Sequence, residues 1–244
     1  MPITRENVTK NALISSILRR GCISMPTSLD ISKTLENLYG ATFDNGIDKT
    51  GDNQILKFYI ETINDNYLPQ SDENMLKISI EKLLEIVFNP LIKDEKFNEE
   101  YLKQEKENIK RIIEGRVDNK ALYATERCIE EMYKNKTFGL YKYGYVEDIE
   151  KIDAESLYEY YKKMISTCKI DIFVSGNVDE QIMQILEENE NAFLAFKLMN
   201  RALFMQRIQS SMVDKYKERL PDDENIPFED VDFENENYDK GVWR

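Results

Sequence analysis

Any chemistry in this chain must proceed without histidine, which is absent from all 244 residues. Serine and cysteine nucleophiles need a neighbouring base, and with no imidazole both the Ser-His-Asp and the Cys-His arrangements are excluded. The zinc signature that sets two His and one Glu on a single helical face cannot be written either. Glu99–Glu100 and Glu130–Glu131 are adjacent pairs, so on a helix their carboxylates diverge and read as solvated faces. Cys22, Cys128 and Cys168 are odd in number and widely spaced, which indicates reduced thiols. Cys128 and Cys168 are expected as buried apolar fillers. There is no phosphate-binding Gly-x-x-x-x-Gly-Lys-Ser/Thr, and Gly139, Gly144 and Gly176 make no dinucleotide fingerprint. The acidic "DVDFENENYD" lacks the glycine of a calcium loop. Tyr141, Tyr143 and Tyr145 then remain, with two readings: domain-edge packing with wet hydroxyls, or exposed aromatic anchors for a partner domain.

Composition narrows the classes further. A net charge of −13 disfavours nucleic acid, whose binding rests on Lys and Arg neutralising phosphates. Apolar residues at 41% provide for a core and charged residues at 32% for a solvated surface. No run of 18 apolar residues predicts a membrane helix, and "MPITRENVTK" does not read as a secretory signal. A cytoplasmic protein without a cofactor is the expectation.

The elements that would position these residues follow from hydrophobic spacing. Residues 8–20 place Leu13, Ile14, Ile17 and Leu18 on one helical stripe, with Gly21 as the stop. A second helix starts at Ser28 or Asp30 and ends before Gly40. In 54–63 the period becomes two: Leu56, Phe58 and Ile60 alternate with Lys57, Tyr59 and Glu61, a half-buried strand whose hairpin partner is 41–49. Helices are predicted over 73–88, 94–114 and 119–134, the last with Leu122, Ile129 and Met132 inward. A helix over 154–165 capped by Asp153, a strand over 169–174 and a short helix over 179–186 complete the unit. The pattern is α+β, a layered domain with an antiparallel sheet and packed helices. It divides into a domain over 1–187, a long helix over 188–220 and a tail over 221–244. Residues 221–239 carry nine acidic side chains and no basic one, a composition expected to be disordered.

The order of these elements, with the words "VTKNALISSILRRG", "LENLYGATFD", "KTGDNQILKFYIE", "FNPLI", "FNEEYLKQEKENI", "DNKALYATERC" and "LYEYYKKMISTCKIDIFVSGNVDE", resembles the insulinase-like M16 metallopeptidases. "LYGA" beside a glycine-containing hairpin resembles an inactive bacterial subgroup of that family. In active members a His-x-x-Glu-His precedes a Gly-Thr step. Counting back from Gly21, the resemblance places Ala12, Ser15 and Ser16 at those positions. It places a third ligand near Glu105 or Glu107, where a glutamate read from the sequence is a solvated helix residue. The resemblance implies an inactive half of a zinc-peptidase pair. Such a half offers its surface to a peptide and its edges to an active M16 subunit. It also implies a link to the modification of elongation factor P, and a sheet lacking the first strands such domains carry. The stretch "NAFLAFKLMNRALFMQRIQSS" is similar to bacterial helicase-like proteins of phage defence, which implies the alternative of a fused or truncated frame joined between Glu180 and Asn191.

Overall fold

A computed structural model describes residues 1–68, 74–176 and Leu186. These lie in a compact unit, Met1–Met199; a second, Asn200–Arg244, lies outside the described residues. The readings for 188–220 and 221–244 therefore lie outside them too.

Helix α1 (Val8–Leu18) is the centre of the fold. The sequence gives it one apolar stripe, but it is enclosed on nearly every side, with only Lys10 and Ser16 less than fully buried. Leu13, Ile14, Ile17 and Leu18 form the main core with Ile47, Phe97, Leu102, Ile109, Ile149, Leu157 and Tyr161, each worth roughly 1.5–3 kcal/mol of burial. A helix enclosed this way must satisfy its polar side chains internally. Thr9 Oγ1 accepts from the Tyr145 amide at 3.2 Å, and Asn11 Nδ2 donates to Gln54 Oε1 at 2.7 Å. Ser15 Oγ accepts from Asn45 Nδ2 at 2.9 Å. Gly144, at φ +80°, passes so close that an added Cβ would lie 2.0 Å from Thr9 Oγ1. Gly21 serves close approach and not a left-handed turn: a Cβ there would meet the Pro26 carbonyl oxygen at 2.5 Å.

Helix α2 (Ser28–Asn37) starts from a Thr27–Asp30 capping box. Strands β1 (Thr42–Thr50) and β2 (Asn53–Glu61) form an antiparallel hairpin around Gly51 and Asp52, in the expected pairing. Such a hairpin is marginal by itself. It is held by α1 on one side and by α3 (Met75–Phe88), which contacts β2.

The predicted helix over 94–114 begins later. Residues β3 (Ile92–Lys93) and β4 (Lys96–Phe97) fold back on each other through Asp94 and Glu95, at φ +53° and +60°. Two successive positive φ values are a hairpin turn, so helix α4 (Glu99–Gly115) starts only where Asn98 Oδ1 accepts from the amides of Glu100 and Tyr101. Helix α5 (Lys120–Met132) corrects a second expectation: Leu122 and Met132 point out, at 53% and 70% exposure, and only Ile129 is half-buried. Its inward face carries Tyr123, Glu126 and Glu130 instead. Glu130 ion-pairs with Arg116 at 2.6 Å and with Arg127, so it is not the solvated residue the sequence indicates. Burial lowers the Lys49 ammonium pKa, partly countered by Glu130, Glu126 and Asp52. Its Nζ donates to the Phe138 and Leu140 carbonyls at 2.8 Å.

A short helix α6 (Val146–Ile149) leads to α7 (Ala154–Thr167), started by an Asp153–Ser156 capping box. Phe97 meets the rings of Tyr158 and Tyr161 edge-on at 5.7 and 5.8 Å, fastening α7 to β4. The expected strand over 169–174 is not one. Ile170 and Ile172 alternate with exposed neighbours, but no described segment pairs with it, and a strand exists only through its partner's hydrogen bonds. Ile172 packs beside Ile80, Leu84 and Leu186. Of the expected helix over 179–186, Leu186 alone is described; it is helical and buried. The fold is α+β, and among the described residues no helix is long and apolar enough to cross a membrane.

Candidate functional site

The C-terminal half of α1, α2, β1 and the middle of α4 converge on a cleft of about 710 Å³. That volume is in the range of ordinary ligand sites. Its floor is apolar, formed by Ile31, Leu35, Phe43 and Ile47, and its walls carry Ser16, Arg19, Arg20, Glu105, Asn108, Arg111 and Tyr143. Ala12, Ser15 and Ser16, the positions the resemblance assigns to the zinc motif, therefore lie at or behind the cleft. Ser16 lines the cleft, whereas Ala12 and Ser15 are fully buried behind it. Ala12 has no ligand atom, and Ser15 is already bonded to Asn45.

Glu105 overturns the sequence expectation for it. It is buried at 6% exposure and receives the Arg20 guanidinium in an ion pair. Asn108 Nδ2 donates to both its oxygens at 3.2 and 3.3 Å. Glu107 is exposed, as expected. A buried carboxylate needs a cation and hydrogen bonds to offset its lost hydration. Arg20 supplies the cation here. These residues do not fit zinc: the carboxylate is taken by a guanidinium, and neither an alanine nor a hydroxyl bonded to an amide replaces a ligating imidazole. Among the described residues no group of three or more Cys, Asp and Glu could hold a metal ion. Among the residues lining the cleft, Ser16 has no imidazole beside it, and the one carboxylate is taken by Arg20. The arrangement can bind.

The sequence carries a local signal for this pair. Leu102, Glu105 and Ile109 share one face of α4 and are its buried residues, so a carboxylate sits on an apolar stripe. Arg20 stands two residues past the end of the mostly buried α1.

Tyr141, Tyr143 and Tyr145 do not form an exposed patch. Tyr141 is 8% exposed under the Arg116 guanidinium, which lies 4.6 Å from its ring. Burial, helped by Glu126, pushes its hydroxyl pKa up to about 12. Tyr145 is half-buried with the Arg5 guanidinium 3.4 Å over its ring. Tyr143 is the one of the three that lines the cleft. Its hydroxyl pKa is raised by burial and secondarily by Asp48. Of the thiols, Cys22 is buried, and burial raises its pKa. Cys168 is half-buried, but Cys128 is exposed, contrary to its reading as a filler: it lies on the outer face of α5, its Sγ 3.6 Å from Met132 Sδ.

Comparison with known proteins agrees with this geometry. No protein-family model matches the chain. It is 33% identical over 230 residues to the "Probable inactive metalloprotease YmfF" of Bacillus subtilis (strain 168), a match covering 94% of this chain and 51% of that protein. The likeness is to an inactive metalloprotease. Among solved structures, it is similar to a conserved protein from Enterococcus faecalis V583, with TM-score 0.70 and 30% identity over 78% of this chain and 45% of that one. The chain thus spans about half the length of the curated relative it matches. A match covering 94% of the chain necessarily runs through 188–220, which weighs against a join between Glu180 and Asn191.

Proposed function

We propose that the chain is a non-catalytic M16 peptidase-like protein that binds a peptide or protein partner in the cytoplasm. In this reading it is the inactive half of a zinc-peptidase pair, linked to the modification of elongation factor P, and Tyr143 contributes to the contact surface. The observation that carries the reading is the Arg20–Glu105 ion pair at the wall where the degenerate zinc motif stands. A guanidinium there supplies the positive charge a metal would otherwise bring, but has no open coordination position at which to polarise a peptide carbonyl. The similarity to a protein named as an inactive metalloprotease supports the same reading.

The test is co-expression with a His-x-x-Glu-His-bearing M16 protein of the same cell, followed by size-exclusion chromatography. Co-elution in near-equal amounts is expected, with peptide cleavage confined to fractions that contain the zinc-bearing subunit. Elution of the two proteins apart at micromolar concentration contradicts the pairing.

A further inference from the structure

In a chain of net charge −13, the cleft is lined by three arginines and one carboxylate. The three cations differ in commitment. Arg20 is held by Glu105, and Arg19 reaches Asp44 at 3.2 Å across a largely exposed pair. Exposed pairs of that kind are weak and readily exchanged. Arg111 is exposed on α4, and its side chain makes no ion pair or hydrogen bond among the described residues. Its planar, five-donor guanidinium matches a carboxylate in a bidentate fork. Beside these cations the cleft is lined by half-buried Leu35, with Ile31 and Phe43 buried beneath it. Positive lining on an acidic protein focuses potential locally and selects the charge of what enters.

We propose that this cleft binds an acidic peptide segment, with its carboxylates on Arg111 and Arg19 and an adjacent apolar side chain on the floor. The proposal rests on the reading of the chain as a non-hydrolytic binder and names the class of peptide it takes. A basic peptide is disfavoured by Arg111 and Arg19. A neutral one gains only the apolar contact.

The experiment is fluorescence anisotropy of the full chain with a labelled alternating Leu-Glu peptide and its Leu-Gln counterpart, at low and at moderate salt. The acidic peptide should bind about tenfold or more tighter, the expected worth of one charge-assisted contact. That advantage should shrink as salt rises. Arg111→Ala should remove most of it; this exposed side chain has no partner to orphan, so the variant should fold. Lys163→Ala, an equal loss of charge on α7, should leave affinity unchanged. Equal affinity for the two peptides, binding by neither, or an unaltered Arg111→Ala variant overturns the proposal. Mass spectrometry of the recovered peptide separates the two readings: an intact but unselectively bound peptide sinks the acidic preference alone, whereas a cleaved one sinks the non-hydrolytic reading.

Discussion

Replacing Arg20 by alanine should show how deeply the Arg20–Glu105 pair is built into the domain. The Glu105 side chain is 8% exposed and the Arg20 side chain 27%, so the pair is sheltered, and removing the guanidinium leaves a buried carboxylate with Asn108 alone. Breaking a buried pair from one side costs about 3–5 kcal/mol, because the remaining charge keeps its desolvation penalty and loses its compensation. For a domain of this size that lowers the melting temperature by about 6–20 °C. The double variant Arg20→Leu/Glu105→Leu removes both charges and should lie within about 1 kcal/mol of the parent, or above it. Urea and thermal unfolding followed by far-ultraviolet circular dichroism measure both. If Arg20→Ala loses less than about 1 kcal/mol, the pair behaves like an exposed one and the argument from burial fails.

Three further outcomes follow from the packing. Gln54 is fully buried, donates to the Val8 and Lys142 carbonyls and accepts from Asn11, so Gln54→Leu takes a partner from three polar groups and should cost about 3 kcal/mol in urea unfolding. Gly144→Ala forces a Cβ onto Thr9 at positive φ and should destabilise by more than about 2 kcal/mol in the same assay. Burial raises the hydroxyl pKa of Tyr141 and Tyr160 from 10.0 to about 12, and that of Tyr161 further. Between about pH 10 and 12 the unfolded chain therefore releases protons that the folded chain keeps. The stability these tyrosines contribute is complete below pH 10 and is lost as pH rises through 12. Tyrosinate absorbance should lag behind that of the urea-unfolded chain across this window, and coincident titration curves would contradict it.

Much of this fold was legible because local signals and packing agree. The period-two alternation of Leu56, Phe58 and Ile60 fixed the strand and its buried face, and Asp153 marked the start of α7 as a capping residue does. Periodicity misled where charge, not apolar area, faces inward. On α5, Glu126 and Glu130 turn toward Lys49 and Arg116, which leaves Leu122 and Met132 outside. Residues 169–174 alternate like a strand, yet alternation shows only which residues lean inward and cannot supply a neighbour. For the site, the resemblance directs attention to Ala12, Ser15 and Ser16, and the structure places them at or behind the cleft. The Arg20–Glu105 pair was not legible, because the two residues are 85 apart and only the packing of α1 against α4 brings them together. The buried stripe of α4 was the one local clue: a glutamate between Leu102 and Ile109 is costly unless something pairs with it.

The most direct test of the account is a calorimetric zinc titration of the purified chain, run with a peptide-turnover assay with and without chelator. The account predicts no stoichiometric zinc binding and no chelator-sensitive turnover, since Glu105 is held by Arg20 and the motif positions offer no imidazole. Binding of one zinc per chain together with turnover that a chelator abolishes would contradict it.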